Sequence, residues 1–201
     1  MGKHCLQGRL ALTLVLLLLT GFAACDPGPG RTPFNGVDIT GADYASDFVL
    51  TDQTGKRRTL ADFKGKVVVL FFGYTHCPDA CPTTMADLAK VMKQLGADAA
   101  ATQVLFVTLD PKRDTPALLA QYVPAFNPSF LGLYGDEAAT QKVAKDFHVF
   151  YEVRPGASPD RYTVDHTAGT FVFDREGRVR LFLSYGMAPE KMAADMKRLL
   201  S

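Results

Sequence analysis

An α/β fold, with a central mixed sheet flanked by helices and a hairpin extension ahead of it, is predicted by three features of this sequence. Residues 67–74, VVVLFFGY, form an unbroken apolar run rich in β-formers, as a strand covered on both faces requires. Met85, Leu88, Val91, Met92 and Leu95 then recur at helical spacing. A second apolar run, VLFVTLD at residues 104–110, follows that helix, and the β-α-β order makes the two strands parallel neighbours joined by a right-handed crossover.

The other elements fall around this unit. FVLTDQTGKRRTL, residues 48–60, reads as the extending hairpin, with its bend at Gln53, Thr54 and Gly55 and a turn afterwards at 62–65. The first helix opens near Pro82, whose missing N–H costs nothing in a first turn. A second helix starts around Pro116, and residues 131–134 are a short extended piece. Residues 136–147 form a third helix with Ala139, Val143, Ala144 and Phe147 on one face. VFYEVRP, an exposed loop GASPDR, and the stretch from Tyr162 to Gly186 supply further strands, the last two folded back through 174–177. PEKMAADMKRLL closes the chain as an amphipathic helix with Met192, Met196, Leu199 and Leu200 inward. Strand, cysteine turn, helix, strand, helix, antiparallel hairpin and final helix is the order of a thioredoxin-like fold, which places a site at the carboxyl end of the first central strand without saying what it does.

Three segments divide the 201 residues. Residues 1–24 read as a signal peptide of the lipoprotein type: Lys3 and Arg9 give a basic start, residues 10–24 an apolar core, and small residues precede Cys25. That core is shorter than the roughly 20 residues of a spanning helix. Phe22-Ala23-Ala24-Cys25 resembles a bacterial lipobox with Phe22 where Leu is usual, making Cys25 the lipidated first residue; plain cleavage after Ala23 or Ala24 is the alternative. Asp26 resembles the second-position aspartate that retains such lipoproteins at the inner membrane. Residues 25–36 hold the lipidated cysteine and a Pro/Gly-rich tether able to reach roughly 30 Å, and 37–201 form the domain. A net charge of +1, with no basic stripe carrying interleaved aromatics, argues against nucleic acid as a partner.

The chemistry centres on GYTHCPDACP. Cys77 and Cys81 are four positions apart, which on a helix separates their α-carbons by about 6 Å and permits a disulfide. A helix amino terminus makes both sulfurs prone to ionise, which suits redox exchange and metal binding alike. A plain staple is the weakest reading, because so short a loop restricts the unfolded chain little. Zinc and iron–sulfur centres ask for four ligands, whereas soft thiolates with one imidazole favour copper. Three histidines compete for that role: His166, in a return between strands; His148, at the end of a helix; and His76, expected to point away if Cys77 points in.

FFGYTHCPDACPTTM, VTLDPKRDTP and YTVDHTAGTFVFDREG, in this order, resemble the three signature blocks of the Sco/SenC family of copper chaperones. The resemblance implies a thioredoxin-like domain tethered to the bacterial inner membrane and facing the periplasm. Its implied role is to take copper from a donor chaperone and load the CuA subunit of cytochrome c oxidase. It implies one copper ion per monomer, as Cu(I) or Cu(II), on Cys77, Cys81 and His166, the two cysteines forming a disulfide when oxidised. Asp110 matches an acidic residue the family keeps near the cysteines, or else caps the turn after its strand. Thr167 stands where Ser is common. The rival functions are a thiol-disulfide reductase that keeps the CuA cysteines reduced, and a peroxidase of the peroxiredoxin type, for which Thr75 sits one residue too close to Cys77.

Overall fold

The computed structural model describes residues 33–201 apart from Pro159. The chain divides at Pro33, and residues 34–201 form one compact unit. The expected signal segment, Cys25 and most of the expected tether lie outside the described residues. The tether's end does not: Asn35 and Gly36 donate their backbone N–H groups to the buried Asp195 carboxylate at 3.0 and 2.8 Å, and the Arg198 guanidinium lies 3.9 Å from the centre of the Phe34 ring. Phe34 to Gly36 thus pack with the domain just ahead of residue 37, because a buried carboxylate on the last helix needs these donors.

The strands are β1 (Val37–Asp38), β2 (Leu50–Asp52), β3 (Arg57–Arg58), β4 (Val67–Gly73), β5 (Thr102–Thr108), β6 (Leu131–Tyr134), β7 (Tyr151–Ser158), β8 (Arg161–His166), β9 (Gly169–Phe173) and β10 (Val179–Ser184). The helices are α1 (Ala80–Leu95), α2 (Pro116–Phe126), α3 (Glu137–Asp146) and α4 (Pro189–Leu200). Eight strands form one mixed sheet in the order β1-β10-β9-β4-β5-β6-β2-β3, while β7 and β8 make a separate ribbon. This is the expected thioredoxin-like α/β architecture.

β4 pairs in parallel with β5, from Val67 opposite Thr102 to Gly73 opposite Thr108, and antiparallel with β9 on its other edge. All its residues are buried, so its unbroken apolar run is the direct signature of a strand with neighbours on both edges and cover on both faces. The expected hairpin is β2–β3, joined through β2 to β6. Phe147 is fully buried and its ring meets those of Phe72 and Phe171, each at 5.3 Å between centroids, as its place on the α3 face requires. Met192, Met196 and Leu199 are buried as predicted, whereas Leu200 and Ala139 are only partly so.

Three local expectations are corrected. The first half of the turn expected at 62–65 belongs to a 3-10 segment, Leu60–Phe63, whose capping box pairs Thr59 with Asp62. β5 begins at Thr102 and ends at Thr108, leaving Asp110 beyond the strand. GASPDR is mostly strand: pairing resumes at Ser158 opposite Arg161 after an irregularity beyond Arg154, and the exposed, Gly- and Pro-bearing composition hid this extension.

Two buried aspartates fasten turns. Burial opposes ionisation of Asp52, but Thr54, Arg58 and the N–H groups of Lys56 and Thr54 outweigh it and hold the carboxyl below its ordinary value of 3.8. Asp174 is lowered in the same way, burial being overcome by Arg178 and Arg180. A depressed carboxyl pKa adds stability that is fully present above the unfolded value and vanishes as pH falls through the folded one. Denaturant midpoints measured across the acid range are therefore expected to drop below about pH 4, with a shallower drop in the Asp52→Asn/Asp174→Asn double variant. An identical slope in the two proteins would refute the assignment.

Candidate functional site

β4 runs out of sheet at Gly73, where the chain turns through Tyr74, Thr75, His76 and Cys77 into α1. A Cβ on Gly73 would lie 3.0 Å from the Cys81 Sγ and equally close to the rings of Phe71 and Phe106, so glycine leaves the room that sulfur occupies. The turn is fastened from below by Asp114, which is fully buried. Its carboxylate accepts from the Thr75 N–H at 3.0 Å, the Thr75 hydroxyl at 2.5 Å and the Thr108 hydroxyl at 2.6 Å. Sequence reading missed Asp114. The signal lay in the second aspartate of LDPKRDTP, which sits ahead of a helix start and so suggested only local capping.

Cys77 and Cys81 both carry free thiols, Cys77 partly exposed and Cys81 buried. No side chain at Asp79 caps α1. The Cys77 sulfur takes that place: it accepts from the Cys81 N–H at 3.4 Å and faces the N–H groups of Asp79 and Ala80. Burial resists ionisation of Cys77, yet these donors and the Cys81 thiol more than offset it, and its pKa falls below that of an ordinary thiol. Cys81 behaves oppositely: burial drives its pKa strongly upward, and the negative charges of Cys77 and Asp114 push the same way. The expectation that both sulfurs ionise readily is thus corrected. Sequence spacing puts both at the helix start, but only the fold reveals that one of them faces the core.

His166 ends β8 beside this turn. Its Nε2 is 3.7 Å from the Cys81 Sγ, and its Nδ1 lies 3.0 Å from the Thr167 carbonyl oxygen. Only a donor can face that carbonyl, so Nδ1 carries the proton and Nε2 presents a lone pair to the sulfur. Burial among the rings of Phe71 and Tyr74 lowers the His166 pKa, outweighing the Thr167 carbonyl and the Asp165 charge, and keeps the imidazole neutral at pH 7. Gly169, opening β9, fixes the strand three residues on: a Cβ there would fall 2.0 Å from the Phe182 ring. The Thr167 hydroxyl accepts from the Phe150 N–H at 3.1 Å, a bond between segments 17 residues apart that serine would also make.

The other two histidines go elsewhere. His148 adopts a left-handed backbone with φ 52°, donates its N–H to Lys145 at the end of α3, and stacks on Tyr44 at 4.4 Å. The His76 ring, half exposed, turns to Thr75 and Asp114. The Asp110 carboxylate accepts from Arg113 Nε, three residues on in the same turn, at 2.5 Å and from the Tyr162 hydroxyl at 2.7 Å. Among the described residues no three His, Cys, Asp or Glu side chains stand close enough to hold a metal ion as they are. Cys81 with His166, and Cys77 with the Cys81 N–H, are two contacts of an open set.

Residues 37–201 match the SCO1/SenC family model. The chain belongs to the SCO1/SenC family. It is 37% identical over 154 residues to the mitochondrial protein SCO2 homolog of Bos taurus, covering 76% of this chain and 58% of that protein, so it spans little more than half the length of such mitochondrial relatives. The copper-bound structure of Bradyrhizobium japonicum ScoI shares 42% identity over 77% of this chain and 98% of that one, with a TM-score of 0.71. The solution structure of apo Sco1 from Thermus thermophilus shares 40% identity over 85% and 99% of the respective chains, with a TM-score of 0.75.

The opposed cysteines set a test. At neutral pH iodoacetamide should modify Cys77 at least about tenfold faster than Cys81, because the donors around Cys77 favour its thiolate while burial disfavours that of Cys81, and thiolate content changes tenfold for each ~1.4 kcal/mol between them. Peptide mass spectrometry reads the ratio, and equal rates in the folded protein would contradict the placement.

Proposed function

We propose that this domain is a membrane-tethered metallochaperone that binds one copper ion through Cys77, Cys81 and His166 and delivers it to the CuA centre of cytochrome c oxidase during assembly. Sco-family proteins are cytochrome c oxidase assembly proteins, and a relative with 42% identity has been solved with copper bound. The observation that carries the reading is the 3.7 Å approach of the His166 Nε2 lone pair to the buried Cys81 sulfur, beside a second thiol of lowered pKa. Two thiolates and an imidazole make a soft, low-coordinate donor set suited to copper. Cys77 loses its proton first and makes the first bond. Cys81 would give up its proton to solvent on binding, completing the set. A ligand set of three leaves a position for an incoming acceptor thiolate, so transfer proceeds by ligand exchange.

The domain is expected to take up one copper per chain, with Cys77→Ser and Cys81→Ser losing that equivalent and His166→Ala weakening it and altering the visible absorption. Mixing the loaded domain with an apo CuA domain should then generate the CuA spectrum. Unchanged binding in all three variants, or no CuA spectrum, would sink the proposal.

The asymmetry of the cysteines favours a second role at the same site, that of a thiol-disulfide reductase for the acceptor cysteines. The Cys77 thiolate attacks an acceptor disulfide and forms a mixed disulfide as one acceptor sulfur leaves with a proton. Cys81 then attacks the Cys77 sulfur, releasing the second acceptor thiol and leaving the Cys77–Cys81 disulfide, a two-electron oxidation of this protein. Peroxidase chemistry is not favoured, because the single proton of the Thr75 hydroxyl is committed to Asp114.

The anchor is part of the proposal: lipidated Cys25 holds the protein at the bacterial inner membrane with the domain in the periplasm, where a copper donor chaperone supplies it. Among the described residues no helix is long and apolar enough to cross a membrane. Cys25→Ala is expected to move the protein from the membrane fraction to another fraction; retention at the membrane would count against lipidation.

A further inference from the structure

His166 is carried by a ribbon that makes no backbone pairing with the main sheet. β7 is exposed along nearly its whole length, and of β8 only Val164 is buried. A cleft of about 290 Å³, lined among others by Leu109, Tyr151, Val153 and Tyr162, lies between the ribbon and the turn after β5. Apolar packing alone therefore leaves the ribbon loosely seated on that side.

Arg113 bridges the gap. Its Nε donates to Asp110, and its Nη1 donates to the backbone carbonyls of Tyr162 at 3.0 Å and Asp160 at 3.3 Å. The guanidinium lies 3.4 Å from the centre of the Tyr162 ring and 5.8 Å from that of Tyr74, next to the cysteine turn. The Tyr162 hydroxyl returns to Asp110 at 2.7 Å, closing a ring of three side chains. Nη2 is buried without a partner, a cost carried while the rest of the fork and its flat face are engaged. Tyr162 precedes His166 by four residues on β8, and Asp110 and Arg113 belong to the same turn as Asp114, which fastens the cysteine loop. One turn thus holds both halves of the site.

We propose that Arg113, with Asp110 and Tyr162, is a positioning residue that latches the β7–β8 ribbon and so sets the distance of His166 from Cys81. The proposal rests on His166 being a copper ligand. Arg113 acts on the metal only through the ribbon: its fork gives two carbonyl contacts and a stacking face that lysine cannot reproduce.

The test measures Cu(I) affinity by chelator competition on the full chain. The variants are Arg113→Lys, Tyr162→Phe and His166→Ala, with each of the first two also combined with His166→Ala. Arg113→Lys is expected to weaken binding about tenfold, the worth of one charge-assisted hydrogen bond, and Tyr162→Phe, which keeps its ring, about threefold. Neither should add to the loss once His166 is alanine. Equal losses with and without His166 overturn the proposal. In the metal-free protein, amide exchange of the paired residues in β7 and β8 should speed up in Arg113→Lys while β4 and β5 stay unchanged, and unaltered ribbon exchange also overturns it. If His166→Ala alone leaves Cu(I) binding intact, the ligand assignment fails, and the metal-free exchange decides the latch separately.

Discussion

The structure depends on keeping β4 dry. A strand with a paired neighbour on both edges and apolar cover on both faces has no room for a polar side chain along its length, so whatever chemistry it supports must begin where it ends. Gly73 marks that end. There the backbone leaves the sheet, α1 starts, and its free N–H groups converge on one sulfur while the other sinks against the phenylalanines that close the strand. A rigid strand behind a small turn holds two reactive groups at fixed depth, which a loop of the same length would not.

Around this pair three buried carboxylates are each met by several donors. Asp114 ties the cysteine turn to β5, Asp110 ties the next turn to the ribbon, and Asp195 ties the chain's entry point to α4. Each carboxylate joins segments far apart in sequence, and each is satisfied by donors from backbone or side chain, as a charge removed from water must be. The ribbon bearing His166 is the exception to the dry design, because polar contacts, one buried valine and the partly buried Tyr151 and Tyr162 hold it in place of a sheet register.

Much of this was legible in the residues. VVVLFFGY and VLFVTLD announced their strands because burial on both faces leaves no alternation to interpret. The stripe from Met85 to Leu95 announced α1, and the cysteine spacing fixed where reactive groups would lie. Of three competing histidines the family resemblance singled out His166, and the fold brings it to Cys81. What could not be read from the chain depends on distant partners. Asp114 and Asp195 look like surface or capping residues until the segments they fasten are in place. The opposed character of Cys77 and Cys81 is a matter of depth, which four positions of spacing do not encode, and GASPDR hid strand pairing beneath a loop-like composition.

The unequal depth of the two thiols also imposes a direction in time. Anything that approaches from solvent, whether a soft cation or a foreign disulfide, meets Cys77 before it can reach the sulfur behind it. Encounter and completion are therefore separate events with separate barriers, the first governed by access and the second by how readily the inner thiol sheds its proton. In the proposed copper role a cation that engages only the outer sulfur can leave again cheaply, whereas one that also reaches the inner sulfur is held; in the proposed reductase role the inner sulfur instead releases the partner.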